Sequence, residues 1–185
     1  MKKLLPARGR ILISEPFLKD PQFNRTVVLL GQHNDESSVG FVLNRLLNAS
    51  TDELVPDLLI YNFPLYYGGP VEQNTLHFIH TYGDIIEDAE EISHGIFWGG
   101  NINSVNNAIE KRLAKPENFK FFVGYSGWTE GQLDDEIKQK AWWVSECNTN
   151  TIFTDDLEDM WSMLVKHLGK NFEHLANAPL DPNWN

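Results

Sequence analysis

Phe119-Lys120-Phe121-Phe122-Val123-Gly124-Tyr125-Ser126-Gly127-Trp128-Thr129-Glu130-Gly131-Gln132-Leu133-Asp134-Asp135-Glu136-Ile137 reads as strand, tight turn and helix. Phe119, Phe121, Phe122 and Val123 are aromatic or β-branched and suit a pleated, half-buried surface. Gly124 and Gly127 bracket the expected turn, since glycine reaches backbone angles closed to other residues. Thr129 with Gln132 three residues on forms a capping-box pattern, which starts a helix at 129. Leu133, Ile137 and Ala141 then share one helical face. Asp134 and Glu136 fall towards the positive end of that helix and Lys138 and Lys140 towards its negative end.

Working outward, apolar strand patterns cover 10–14, 25–31, 39–45, 75–82, 95–99, 119–125 and 141–147. Helical patterns cover 103–114, 129–140 and 155–168, with Asn103 as cap of the first and Thr154 or Asp155 as cap of the last. Leu157, Trp161, Leu164, Val165 and Leu168 make a clean apolar stripe ended by Gly169. Ser50 with Glu53 marks a short helical turn, and 84–91, with five carboxylates, reads as a solvated loop or exposed edge. Strands come in runs and helices fall late. The expected fold class is α+β: one compact domain over 1–185, a mostly antiparallel or mixed sheet, and three main helices packed on it. Whether the sheet curls into a barrel stays open at this level. Residues 170–185, rich in Pro and Asn, read as an irregular tail.

Charge narrows the partners. The net charge is −11 and uneven: residues 1–60 carry seven basic and seven acidic side chains, and 61–185 carry eight and nineteen. Such a body repels phosphate backbones and anionic headgroups, so direct nucleic-acid binding is disfavoured. No apolar run reaches the roughly 18–20 residues that span a bilayer, and no membrane association is expected. Met1-Lys2-Lys3-Leu4-Leu5-Pro6-Ala7-Arg8 begins like a signal peptide, but no apolar stretch follows it. A single cysteine, Cys147, excludes an internal disulfide. The reading is a soluble cytoplasmic protein.

Motifs that carry chemistry are few. Gly124-Tyr125-Ser126-Gly127-Trp128 approaches the Gly-x-Ser-x-Gly nucleophile elbow, but Trp128 stands where the second glycine belongs. A strand-to-helix turn is the plainer reading. His77 and His80 are three apart; on a strand that spacing sends them to opposite faces, so a metal site is not expected. Arg45, after Asn44 at a strand end, is either an anion anchor or a partner for a structural carboxylate or carbonyl. Tyr66-Tyr67-Gly68-Gly69-Pro70-Val71 is faintly echoed by Phe97-Trp98-Gly99-Gly100-Asn101-Ile102. The candidate cleft therefore comprises Asn44, Arg45, Gly68, Gly69, His77, Gly99, Ser126, Trp128, Gln132 and Glu136, with the Gly-Gly turns as its expected far wall. No cofactor is implied.

These blocks in this order resemble the AlgH/YqgE family of bacterial proteins. The resemblance rests on 9–14, Asp20-Pro21 with 23–28 and His33, and Gly40-Phe41-Val42-Leu43-Asn44-Arg45. It continues through Gly68-Gly69-Pro70-Val71, Leu76-His77, Gly124-Tyr125-Ser126-Gly127-Trp128, Gly131-Gln132-Leu133 and Glu136. It implies a compact α+β domain and no settled activity. One branch is named for regulation of alginate synthesis, which implies a transcriptional regulator. The resulting expectation is a binding or regulatory protein that acts indirectly through a protein or small-molecule partner. The alternative is a small hydrolase or other enzyme built from the Asn-Arg, Gly-Gly-Pro-Val and Gly-Tyr-Ser-Gly-Trp blocks.

Overall fold

The computed structural model describes residues 4–178. Its ten strands are β1 (Ile11–Ser14), β2 (Val27–His33), β3 (Ser37–Val42), β4 (Leu46–Ser50), β5 (Pro64–Tyr67), β6 (Val71–His80), β7 (Glu90–Ser93), β8 (Ile96–Trp98), β9 (Phe119–Thr129) and β10 (Trp142–Ser145). The helices are α1 (Thr51–Leu54), α2 (Ile102–Glu110), α3 (Gln132–Lys138), α4 (Thr149–Ile152), α5 (Leu157–His167) and α6 (Glu173–Ala176). The strands form one sheet in the order β10-β1-β2-β3-β9-β6-β8-β7, with β4 and β5 on a branch. Every pairing is antiparallel except β5 with β9. The sheet does not close into a barrel.

β9 is the spine. β6 runs along one of its edges, with His77 opposite Phe122 and His80 opposite Phe119. The other edge is shared: β5 pairs with its first half, Tyr66 opposite Phe122, and β3 with its second half, Gly40 opposite Ser126. The chain therefore leaves β5 on one side of β9 and returns as β6 on the other. The crossing is made by Gly68-Gly69-Pro70, at the level of Gly124. Three hydrogen bonds hold it: Gly68 N–H donates to Val123 O (2.9 Å), Val42 N–H to Gly68 O (3.0 Å), and the Ser126 hydroxyl to Gly68 O (3.0 Å). Two backbones meet here without room for a side chain. A Cβ on Gly68 would lie 2.1 Å from Gly124 O, and one on Gly124, whose φ is +66°, would lie 2.6 Å from Val71 O.

Three apolar clusters flank the twisted sheet. Ile13, Leu29, Phe41, Ile79 and Phe122 face inward and are closed over by Met160, Trp161 and Val165 of α5. Phe63, Leu65, Phe78 and Phe121 lie on the other face of the β5-β9-β6 half, under Val105 and Ala108 of α2. Leu12, Val28, Val42, Trp128 and Trp142 lie under Leu133 and Ile137 of α3. The alternation Phe121/Phe122 and Phe78/Ile79 between clusters is the two-residue period of a strand buried on both faces.

Several boundaries differ from the sequence reading. Gly124-Tyr125-Ser126-Gly127 is not a turn; β9 runs on to Thr129, because β3 supplies hydrogen-bond partners for 126–129. Gly124 acts instead as the kink at the crossing. α3 starts at Gln132, with Gly131 (φ +69°) as its cap rather than Thr129. Asn101 caps α2 and Asp156 caps α5, in place of Asn103 and of Thr154 or Asp155. β4, β5 and β7 have no counterpart among the expected strands, although β7 does lie at an edge of the sheet. Ser50 and Glu53 do form the expected capping box at α1. In the expected irregular tail, 170–172 form a 3-10 turn and 173–176 a short helix; 179–185 lie outside the described residues.

The crossing generates a prediction. Gly124→Ala adds backbone strain to a steric clash and should cost about 2–6 kcal/mol. Gly99→Ala, at φ +68° but facing open space, should cost only about 1–2 kcal/mol. Urea unfolding of the two variants checks the order; equal losses would show that the crossing is not close-packed.

Candidate functional site

Glu136 is the centre of the best-formed polar constellation. It lies on the second turn of α3, half-buried beneath β9 and β10. One carboxylate oxygen, Oε2, accepts the indole N–H of Trp128 (2.8 Å) and that of Trp142 (2.7 Å). The other, Oε1, accepts the side-chain amide of Gln132 (2.9 Å). Gln132 in turn uses its carbonyl to accept the Thr129 backbone N–H (3.1 Å). That is half of the expected capping box, with the side chain reaching back to a residue of β9. The i, i+4 spacing of Gln132 and Glu136 puts both groups on one helical face. Charge-assisted bonds from two indole donors tie α3 to two strands that are not neighbours in the sheet.

Phe23 completes the arrangement. Its ring stacks on Trp128 (centroids 6.2 Å) and meets Trp142 edge-on (5.5 Å), and the two tryptophans are themselves T-shaped at 6.0 Å. Above this aromatic floor lies an open groove of about 690 Å³. One wall is α3, with Gln132, Glu136 and Gln139; the other is the connection after β1, with Glu15, Phe17, Leu18, Lys19 and Asp20. The far wall is thus the 15–23 segment and not the Gly-Gly turns.

The remaining candidate residues lie elsewhere. Asn44 works as a surrogate strand residue: its side chain accepts Val27 N–H (3.0 Å) and donates to Arg25 O (2.9 Å). Arg45 donates to the carbonyls of Pro21 and Asn24 (both 3.3 Å) and leans over the Tyr67 ring. Together they fix the 20–26 segment that carries Phe23. Gly68, Gly69 and Ser126 form the crossing, where the Ser126 hydroxyl is fully buried and committed to Gly68 O. His77 is half-buried against Phe41 and Tyr125 and bonds Thr75 (3.0 Å). His80 faces the other way, among Phe78, Phe97 and Phe119. Its Nδ1 accepts Tyr82 N–H, which leaves Nε2–H to donate to Gly99 O (2.9 Å). Burial pushes both imidazoles below the usual histidine range. Cys147 is inert: burial raises its thiol to about 12.

Sequence reasoning passed over Lys120. It is the second residue of β9, on the inward side with Phe122, and is buried at 3% exposure. The ammonium lies 4.3 Å from the Tyr66 ring centroid and 3.3 Å from Leu43 O, and among the described residues no carboxylate is within ion-pair distance. Burial lowers its pKa to about 8, against a weaker opposing pull from Asp155. The signal was present as a lone lysine in an otherwise apolar run, but a local pattern cannot distinguish it from an exposed position.

The class defined is an α+β protein with a curled mixed sheet and an aromatic groove beside a clamped helix. A family model described as AlgH-like matches residues 11–173. A UPF0301 protein of Chlorobaculum parvum is 39% identical over 177 residues, covering 96% of this chain and 95% of that one. A UPF0301 protein of Parabacteroides distasonis is 41% identical over 184 residues, covering 98% and 93%. Among solved structures, AlgH of Pseudomonas aeruginosa superposes with a TM-score of 0.72 at 28% identity, covering 97% of this chain and 98% of that one. A protein of Corynebacterium diphtheriae gives 0.81 at 19% identity, covering 95% and 94%, a likeness of fold alone. The chain belongs to the AlgH-like, UPF0301 family.

Glu136→Ala strands two buried indole donors and should cost about 2–6 kcal/mol, at one to three per donor. Gln132→Ala should cost about 0.5–2 kcal/mol, as lost caps do. Urea unfolding gives both numbers, and the Trp128 and Trp142 indole proton resonances should shift in the first variant. Lys120 makes the stability of the fold depend on pH. From pH 8 to 10.5 the unfolded chain holds the proton and the folded chain has lost it, so stability rises with pH. The deficit below pH 8 is about 3 kcal/mol. Urea midpoints from pH 7.5 to 9.5, ahead of tyrosine ionisation, should climb in the parent chain and stay flatter in Lys120→Met.

Proposed function

We propose that this chain is a binding protein whose ligand lies in the groove between α3 and the 15–23 segment. The observation that carries this is the Phe23, Trp128 and Trp142 floor, held rigid by Glu136 and of a size suited to a small organic ligand. The lining supports binding over catalysis. It contains no Ser, Thr, Cys or His among the described residues, and three acceptor positions on Glu136 are already taken. Glu15, Lys19, Asp20 and Lys140 also line the groove, and among the described residues no ion pair sets two of them against each other as a catalytic pair.

The ligand chemistry follows from the walls. A flat apolar body matches the aromatic floor, and a cationic or hydrogen-bond-donating end matches Glu15 and Asp20, which with Glu136 outnumber Lys19 and Lys140 on the lining. The net charge of −11 favours cations over anions at long range. Regulatory action of such a protein runs through its ligand or a protein partner. Direct DNA contact lacks the basic surface it needs. Among the described residues no helix is long and apolar enough to cross a membrane.

Tryptamine and indole-3-acetate share one flat body and differ in charge, so they test the reading together. In nitrogen-edited NMR titrations tryptamine should move the Trp128 and Trp142 indole signals, and indole-3-acetate should do so at least tenfold more weakly. Phe23→Ala should weaken the tryptamine effect at least tenfold while the chain stays folded. Equal response to both probes, or shifts confined to other signals, overturns the assignment.

A further inference from the structure

We propose that Lys120 is a carbonyl-reactive amine, and that the pocket against it takes a neutral aldehyde or ketone with an aromatic or branched apolar body, held as an imine. This site is separate from the groove at α3 and does not depend on it. The pocket has a volume of about 360 Å³ and is walled by Phe63, Pro64, Phe119 and Phe153, with Glu117 and Asp155 also on its lining.

Three features point to this chemistry. First, the position is one where β9 calls for an apolar side chain, and the amine is held there without a carboxylate partner, against the Tyr66 π face. A lysine desolvated among apolar groups keeps a neutral, nucleophilic fraction near neutral pH, and burial lowers this one to about 8. Second, the walls accept an apolar body, while Glu117 and Asp155 repel a carboxylate or phosphate. An anion-binding role for the lysine is disfavoured on that ground. Third, the titratable groups set against the amine, Tyr66 through its ring face and Asp155 through its charge, suit the step electrostatically, while Tyr61 and Glu117 lie elsewhere on the lining. Asp155 interacts with both Lys120 and Tyr66, and its carboxylate favours a developing cation.

The step balances without an external oxidant or reductant. The neutral Nζ attacks the carbonyl carbon; a C–N bond forms and the C=O π pair moves to oxygen. One proton passes from nitrogen to that oxygen, giving a carbinolamine. The oxygen then takes a second proton and leaves as water, the nitrogen lone pair closes the C=N bond, and the product is an iminium that loses its proton to give the imine.

Benzaldehyde with sodium cyanoborohydride tests this on the full chain, since the hydride converts any imine into a stable benzylamine. Peptide mass mapping then reads every lysine in the same sample. The expected result is Lys120 modified at least tenfold faster than exposed Lys111, Lys138 and Lys166, with a rate that rises as pH approaches about 8. Lys120→Met should lose this fast adduct and keep the slow ones. Modification of Lys120 at or below the surface rate in the folded parent chain overturns the proposal, whatever the variant does. So does binding of benzoate at this pocket, seen by NMR, with no trapped benzylamine, which would make it an anion site.

Discussion

Everything in this fold depends on two backbones passing each other at Gly68 and Gly124. β9 must be flanked by β5 on one edge and β6 on the other, and those two strands are joined by three residues. A three-residue link can straddle a strand only by running against its backbone. Close-packed interiors leave no slack for a Cβ at 2.1 Å from a carbonyl oxygen. The crossing also explains why the Gly-Gly-Pro-Val and Gly-Tyr-Ser-Gly-Trp blocks belong together although 50 residues separate them. They are the two halves of one contact, and the Ser126 hydroxyl fastens it.

That contact decides what the local patterns could and could not reveal. Apolar runs located β1, β2, β3, β6, β8, β9 and β10 and the three longer helices, because burial on one or both faces leaves its period in the chain. β4, β5 and β7 are short, and their identity as strands comes from partners: Tyr66 from Phe122, Leu46 from Tyr66, Glu90 from Trp98. The same non-local rule turned an expected turn into strand. Gly124 through Gly127 has the composition of a turn, yet β3 draws residues 126–129 into the ladder. Thr129 then belongs to β9, and Gln132 carries out only the half of its capping role that survives this shift.

The site was legible to a similar degree and for similar reasons. Trp128, Gln132 and Glu136 recur at intervals of four residues across the β9–α3 junction, so their grouping could be read from spacing alone. Phe23 and Trp142 come from remote elements; the tryptophan could be read only as core or as part of an aromatic pocket, and Phe23 had no local mark. Asn44 and Arg45 act one step removed: they hold the 20–26 backbone that presents Phe23 to the groove. A motif can thus bear on a site without lining it.

Glu136 and Lys120 show two opposite treatments of a charge taken away from water. Glu136 receives three donors, two of them indoles that would otherwise be buried without partners, so the ion and its donors satisfy each other. Removing the carboxylate leaves both indole donors without their partner, so the two strands and the helix are held together through this one group. Lys120 has a carbonyl at 3.3 Å and a ring face, and its chain could have offered an aliphatic side chain at the same point of β9 with no desolvation cost. A charge retained in that poorer setting works against folding, whereas the Glu136 charge works for it. Stability alone accounts for the carboxylate. For the amine it does not, and the imine chemistry proposed for the pocket beside it would give a reason other than stability.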